Sequence, residues 1–392
     1  MKQRCLLLTF NLIICSFLTF VSNTEPLYAG TFEKQVSWPS NELPPADEAS
    51  IELMAGQMLM VGFRGLTPEA NPEILSDIKK YHIGGIILFD RDYNILISTR
   101  NVTSKKQLTR LVSGLHQSST YPLFVAVDQE GGNVRRLKSE KGFLPLPSAF
   151  DLGNLPVENT EEVAENLGRE LTEIGINMNF APVADVNIYP QSPAVGALKR
   201  SFSSDSVEVT NHARAFLKGL SAEGIIGSLK HFPGHGSAMV DTHKGITDIT
   251  GTWRRNEELL PYETLIPENL VDMVMVGHLV NMNIDPEYPA SLSKPAITGL
   301  LREELGYDGV VISDDLEMGA ITSHYKMEDV IFLAIDAGMD ILLYGNNINY
   351  DPNIAAKVHS TIFKLVEEGK ISRERLEESY TRIRDLKSKL PQ

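Results

Sequence analysis

Cysteine is almost missing from this chain. Its 392 residues include two, Cys5 and Cys15, both inside the N-terminal apolar segment. If that segment is removed, the remainder has no disulfide, no thiolate nucleophile and no cysteine metal site. Basic residues are also in short supply, at 36 Lys and Arg against 51 Asp and Glu, for a formal net charge of −15 and a pI near 5.1. That balance argues against sequence-independent binding to nucleic acid, which needs clustered Lys and Arg. There is no internal repeat, low-complexity tract or linker to a second domain. With 42% hydrophobic and 22% charged residues, a disordered or collagen-like chain is excluded and a large core is possible. The length allows two or three domains, or one large α/β barrel.

The N-terminus reads as an export signal over 1–29. Lys2 and Arg4 supply the positive end, an apolar run follows from Cys5 to about Val21, and Leu27-Tyr28-Ala29 precedes Gly30 as a cleavage site. The run is long for a signal, so an uncleaved membrane anchor is the alternative. Lipidation at Cys15 is the weaker reading, because Ile14 before it is not small. Residues 30–49 are polar and Pro-rich (Pro39, Pro44, Pro45) and read as a leader to a single domain spanning 50–392. The chain is therefore expected to be exported, to the periplasm or beyond the cell, and to meet a membrane only through that signal.

From Gln57 onward, short apolar runs alternate with helical patterns. The runs are 58–63, 85–89, 123–127, 178–181, 225–229, 273–276, 309–312 and 341–344. Nearly continuous apolar runs of this length are how parallel strands buried on both faces look. Amphipathic stretches such as Val163 to Gly175 and Asn211 to Gly224 lie between them, and a last one runs from Leu376 to Leu390. Eightfold strand–helix alternation predicts an α/β fold, a (β/α)₈ TIM-type barrel, with the final helix packed on it.

In such a barrel, function sits just after the strands. Strand three runs into Asp128-Gln129-Glu130-Gly131-Gly132, strand four into Pro182 and Asp185, strand five into Lys230-His231-Phe232-Pro233-Gly234-His235-Gly236, strand six into Gly277-His278, and strand seven into Ser313-Asp314-Asp315. Polar groups at five strand ends are hard to explain as packing. Asp314 at a strand mouth can attack an electrophilic sugar carbon, or it can cap the next helix; of the two adjacent acids, one caps and one works. Asp241 stands two residues before His243, where a carboxylate can fix the imidazole tautomer and raise the basicity of its other nitrogen. The competing reading of that pair is an exposed loop histidine with a chance acidic neighbour. His231 and His235 have the spacing of helical metal ligands, but Phe-Pro-Gly between them forbids a helix; a metal site of His231, His235, Asp241 and His243 remains an alternative. Lys230 can hold sugar hydroxyls or form a structural ion pair. Gly131-Gly132 lacks the companions of a phosphate cradle and reads as a tight turn.

Together these strings resemble glycoside hydrolase family 3, in its β-N-acetylglucosaminidase (NagZ-like) branch. The matching segments are Val127 to Gly132, Phe180 to Val186, Arg200 to Phe202, Lys230 to Gly236, Asp241 to His243, and Ile312 to Leu316. They occur in the family's order across most of the chain after residue 50. Lys-His-Phe-Pro-Gly-His-Gly followed by Asp-x-His separates this branch from the family's β-glucosidases, whose acid/base is a glutamate in a second domain for which this chain has no room. The resemblance implies that Asp314 is the nucleophile and that His243, polarised by Asp241, is the general acid/base. It further implies that Asp128, Arg136, Arg200, Lys230 and His231 bind the sugar. The family retains anomeric configuration through a covalent glycosyl-enzyme and needs neither metal nor cofactor. One departure is Asn133, where the family often has arginine, at the edge of the site. Another is the export signal, since many Gram-negative relatives are cytoplasmic.

The resulting expectation is an exported, monomeric, retaining exo-β-N-acetylglucosaminidase. It would take terminal GlcNAc from peptidoglycan fragments (muropeptides) or chitin-type oligosaccharides. A phosphorylase of the same fold is the near alternative, because a histidine acid/base repels phosphate less than a glutamate. A catalytically silent cell-wall sugar-binding protein and a metal-dependent hydrolase are the alternatives of other classes.

Overall fold

The computed structural model describes residues 39, 41–93, 99–241 and 245–390. The predicted export signal and His243 lie outside them. Among the described residues, no helix is long and apolar enough to cross a membrane.

All eight predicted runs are strands of one sheet: β1 (Leu59–Gly62), β2 (Gly85–Leu88), β3 (Phe124–Val127), β4 (Met178–Asn179), β5 (Ile226–Phe232), β6 (Met273–Val276), β7 (Val310–Ser313) and β8 (Leu342–Tyr344). Each pairs in parallel with its neighbours in chain order, and β1 also pairs with β8 through Leu59–Leu342 and Val61–Tyr344. A parallel bridge between Ile312 and Ile341 closes the ring. The expected (β/α)₈ barrel is therefore present. Its strands are buried at every position, with no alternation, because side chains fill the lumen on one face and helices cover the other.

The covering helices are α1 (Ile51–Gln57), before the barrel, then α2 (Pro72–Tyr81), α3 (Lys105–Ser118), α4 (Val157–Glu173), α5 (Ser206–Ala222), α6 (Leu260–Leu265), α7 (Pro295–Glu304), α8 (Met327–Ala337), α9 (Ile354–Glu367) and α10 (Arg373–Lys387). In α4 the buried set Thr160, Ala164, Leu167, Gly168 and Leu171 repeats at three and four, the spacing of one helical face. The predicted helices 163–175 and 211–224 are α4 and α5, which start at Val157 and Ser206, ahead of the apolar pattern.

The last helix packs on the barrel, as expected. Its Lys387 is buried at the N-terminal ends of the strands and donates to Gln57 Oε1 (2.7 Å), Gly84 O (2.9 Å) and Pro122 O (2.5 Å). Arg373 donates to Ala49 O (2.9 Å) and Tyr380 Oη to Pro44 O (2.9 Å). The end of the Pro-rich segment is thus fastened along α10, and Leu43 is buried there.

Candidate active site

The C-terminal ends of the strands surround a cavity of about 570 Å³, within the usual range for a small-molecule site. Asp128, Arg136, Arg200, Lys230, His231, Asp241 and Asp314 all line it. These are seven of the eight residues expected to form the site, and the eighth, His243, lies outside the described residues.

A short antiparallel ribbon follows β3, with Gln129–Gly131 paired to Val134–Arg135. Gly131 and Gly132 turn it at φ 105° and 53°, conformations that residues with side chains seldom adopt. This is the tight turn predicted for the glycine pair. Buried amides hold the ribbon in place. Asn179 on β4 takes Gln129 N (3.0 Å) and gives to Gln129 O (3.1 Å), while Gln129 Oε1 accepts from Arg136 N (2.9 Å) and Leu137 N (3.0 Å). The ribbon thereby presents Asp128, Glu130 and Arg136 to the lumen.

At the end of β5 the pairing with β6 shifts, so that Lys230 faces Met275 and Phe232 faces Val276, with His231 as the extra residue. A bulge breaks the two-residue alternation, and Lys230 and His231 both reach the cavity. Lys230 Nζ lies 3.1 Å from Asp128 Oδ1 and 2.6 Å from Glu130 Oε1. Arg200 donates to both Glu130 oxygens, at 2.7 and 2.8 Å, and approaches His231 Nε2 at 3.2 Å. Arg136 donates to Asp128 Oδ2 at 3.0 Å. His231 Nδ1 is 2.7 Å from Asp185 Oδ2, and Asp185 Oδ1 accepts the backbone N–H of His231 and His235 at 3.0 and 2.8 Å. Since a guanidinium only donates, His231 Nε2 must accept from Arg200, which places the imidazole proton on Nδ1 toward Asp185.

Burial opposes charge on these carboxylates, yet their partners win. Arg200 and Lys230 hold Glu130 down to about 2. The contacts from His231 hold Asp185 down to about 2. Lys230 and Arg136 keep Asp128 below its ordinary value. Glu130 is therefore an ionised bracket for Arg200 and Lys230 and is unsuited to donating a proton. Asp185 and Glu130 are the supporting residues that sequence reasoning under-read, as both stood in the strand-end strings without a partner.

Asp314 leaves β7 with its backbone N–H on Val276 O (2.9 Å), and its Oδ1 accepts the N–H of Asp315 (2.8 Å). Asp315 Oδ1 accepts from Glu317 N (3.1 Å) and Gly345 N (3.0 Å). Asp315 thus ties the turn to the end of β8, and the expected cap is not made: the next helix, Gly319–Thr322, has Met318 and neither acid at its N-cap. His278, buried, bridges Ser291 Oγ (2.7 Å) and Asp315 O (2.9 Å), a supporting position behind the same turn. No group of three or more His, Cys, Asp or Glu among the described residues is arranged to hold a metal ion. His231 Nε2, the ring nitrogen left for a metal, instead faces the Arg200 guanidinium at 3.2 Å, which disfavours the His231–His235–Asp241–His243 alternative.

A closed parallel barrel whose strand ends gather an aspartate and a bracketed set of paired charges around one cavity has the makings of a (β/α)₈ glycoside hydrolase. The profile of the glycosyl hydrolase family 3 N-terminal domain matches residues 50–386, and the chain belongs to that family. Beta-hexosaminidase A of Pseudoalteromonas piscicida is 33% identical over 382 residues, covering 86% of this chain and 61% of that protein. Beta-hexosaminidase LpqI of Mycobacterium tuberculosis is 37% identical over 302 residues, covering 74% of this chain and 71% of that protein. Among solved structures, a family 3 β-N-acetylglucosaminidase from Paenibacillus sp. FPU-7 superposes with a TM-score of 0.79 at 34% identity, over 87% of this chain and 62% of that one. A β-N-acetylhexosaminidase from Beutenbergia cavernae superposes at 0.78 and 30% identity, over 87% and 99%. The chain thus spans about three fifths of the length of the Pseudoalteromonas and Paenibacillus proteins.

Proposed function

We propose that this chain is an exported β-N-acetylhexosaminidase that removes terminal, non-reducing GlcNAc from peptidoglycan fragments or chitin-type oligosaccharides, with retention of configuration. The observation that carries the reading is the convergence of Asp314, Asp241 and the Asp128–Lys230–Glu130–Arg200–His231 network on one cavity. Names of similar proteins supply the hexosaminidase class.

In this reading Asp314 attacks the anomeric carbon. Breaking the glycosidic bond requires a proton on the departing oxygen, which His243 gives; it then takes one from the water that releases the sugar. Asp241 orients the imidazole. Asp128 accepts from sugar hydroxyls, and Lys230, Arg200 and Arg136 donate to them. Asp128 and Glu130 are shared among these three cations at 2.6 to 3.1 Å, and the charge of Asp185 also acts on Arg200, so the cluster carries no excess positive charge. This favours a neutral sugar and water over a phosphate dianion, and hence hydrolysis over phosphorolysis.

The test compares kcat/KM for the 4-nitrophenyl β-glycosides of GlcNAc and glucose, with and without phosphate, and follows the anomer first released by NMR. A strong GlcNAc preference, the β-anomer and no phosphate dependence are expected. Equal rates on the two sugars, or an inverted product, would overturn the proposal. Export rests on Lys2, Arg4 and the apolar run after them. A full-length chain found only in the cytosol of fractionated cells would refute that part.

A further inference from the structure

After β5 the chain enters the segment that leads to Asp241, and a series of contacts fastens its first half. Trp253 Nε1 donates to Pro233 O at 3.0 Å. Tyr189 N donates to Gly236 O at 3.0 Å. Ala238 is buried in a small apolar cluster with Ile249 and Leu279. Met239 and Val240 then emerge into solvent, 57% and 49% exposed, before Asp241 returns to the cavity.

One side chain beneath this segment belongs to neither the sugar-binding network nor the barrel core. Glu258 is buried, and its Oε1 accepts Ser237 N while its Oε2 accepts Arg254 N, both at 3.2 Å. Gly234 lies flat against it; a Cβ there would come within 2.7 Å of Glu258 Cβ and 2.9 Å of Oε1. A buried acid is costly to keep unless its charge is matched, and here two main-chain amides do the matching. One of the two belongs to the arm.

We propose that Glu258 is a positioning residue for proton transfer: its carboxylate clamps the root of the arm that leads to Asp241, and so sets where Asp241 meets the cavity. The proposal rests on the reading of His243 as acid/base. The clamp needs two acceptor oxygens, so it is strongest with Glu258 ionised. Burial pushes Glu258 up to about 7, the contacts with the side chain and backbone of Ser237 and with Arg254 N oppose this, and the charge of Asp185 adds to it. The other titratable groups around it are Tyr262 on α6, itself pushed up by burial and by the charges of Asp185 and Glu258, and His235 on the arm, which burial pushes down to about 4. Acidification through about 7 therefore weakens the clamp.

The experiment measures kcat/KM for chitobiose, whose leaving group needs the proton, and for 2,4-dinitrophenyl-GlcNAc, whose leaving group does not. The ratio of the two cancels the ionisation of the nucleophile. Glu258→Gln puts an amide NH₂ against one of the two N–H donors, so one contact is lost whichever way the amide faces. Expected are a fall of about ten- to a hundredfold for chitobiose, as for a misplaced catalytic group, little change for the activated substrate, and loss of the acid limb near pH 7 from the ratio. In a His243→Ala background, Glu258→Gln should add nothing to the chitobiose defect. An acid limb that survives in Glu258→Gln, or an equal loss on both substrates while His243→Ala remains selective, overturns the clamp alone. A uniform loss in His243→Ala overturns the acid/base reading instead. Should the variant not fold, the ratio in the unaltered enzyme decides, since a ratio that keeps rising from pH 8 to 5.5 is incompatible with the clamp.

Discussion

Lys230 is the hinge of the charge network, and Lys230→Met tests whether that network holds by charge or by packing. Its side chain is 2% exposed and that of Glu130 4%, so neither charge is solvated by water. Met keeps most of the volume and removes the ammonium. Glu130 is then left with Arg200, and Asp128 with Arg136. Breaking a buried ion pair from one side costs about 3–5 kcal/mol, and the remaining arginines place this case at the low end. The linkage arithmetic agrees. Glu130 is held to about 2 against an ordinary 4.5. At about 1.36 kcal/mol per pH decade, its ionised form contributes about 3 kcal/mol, shared between Lys230 and Arg200, and Lys230 also helps keep Asp128 below its ordinary value, so its share over the two carboxylates returns to about 3 kcal/mol. Because the folded-state value is depressed, that stability is complete above about pH 4.5 and is lost as the pH falls toward 2. The penalty of Lys230→Met should therefore be about 3 kcal/mol by urea unfolding at pH 7 and shrink markedly at pH 3. A penalty of equal size at both pH values would mean that Lys230 acts by packing, and the electrostatic account of the site would fail.

Three further outcomes are expected. Asp314→Asn should lower kcat by about 10³-fold or more, about 4 kcal/mol of barrier, with an unchanged unfolding transition; turnover near that of the parent would remove Asp314 from the nucleophile role, and Asp315→Asn should be milder in rate because Asp315 ties a turn. His243→Ala should lose about 10²–10⁴-fold on poor leaving groups while activated aryl glycosides show a pre-steady-state burst, with Asp241→Ala giving a smaller loss and a shifted pH profile; absence of any burst would make His243 a binding residue. Asn179→Ala leaves Gln129 N and O unpaired in the interior, at about 1–3 kcal/mol each, and frees the ribbon carrying Asp128, Glu130 and Arg136, so KM should rise along with the fall in stability; a stability loss with KM unchanged would show that the ribbon is held by other contacts.

The barrel was legible because strands buried on both faces must be continuous apolar runs, and eight such runs separated by amphipathic helices admit few other architectures. The boundary of β5 moved for a physical reason. The apolar run of β5 stops at Leu229, yet the strand continues through Phe232, because Lys230 and His231 meet Glu130 and Asp185 inside the protein. Sequence alone cannot see that a charged residue will find a partner roughly a hundred positions away, so polarity was read as the end of the strand. The Pro-rich leader is the converse case. It has no periodicity of its own, and what orders residues 43–49 is contributed by Tyr380 and Arg373 from the far end of the chain.

The same asymmetry governs the site. Residues proposed to work on a substrate stand at the C-terminal ends of the strands, facing the cavity, and their types advertise their chemistry; Asp314, Lys230 and His231 could be found for that reason. Residues that act through other residues carry no such mark. Glu130 could pass for a spare general acid until its two cations were seen to hold it ionised, with burial working against them. Glu258 follows a polar run with nothing to distinguish it from the neighbouring Glu257, and only the fold turns it inward, to 1% exposure, against the backbone of the arm. Such positions are fixed by three-dimensional encounters, and a one-dimensional pattern reports the encounter only when the spacing along the chain is short.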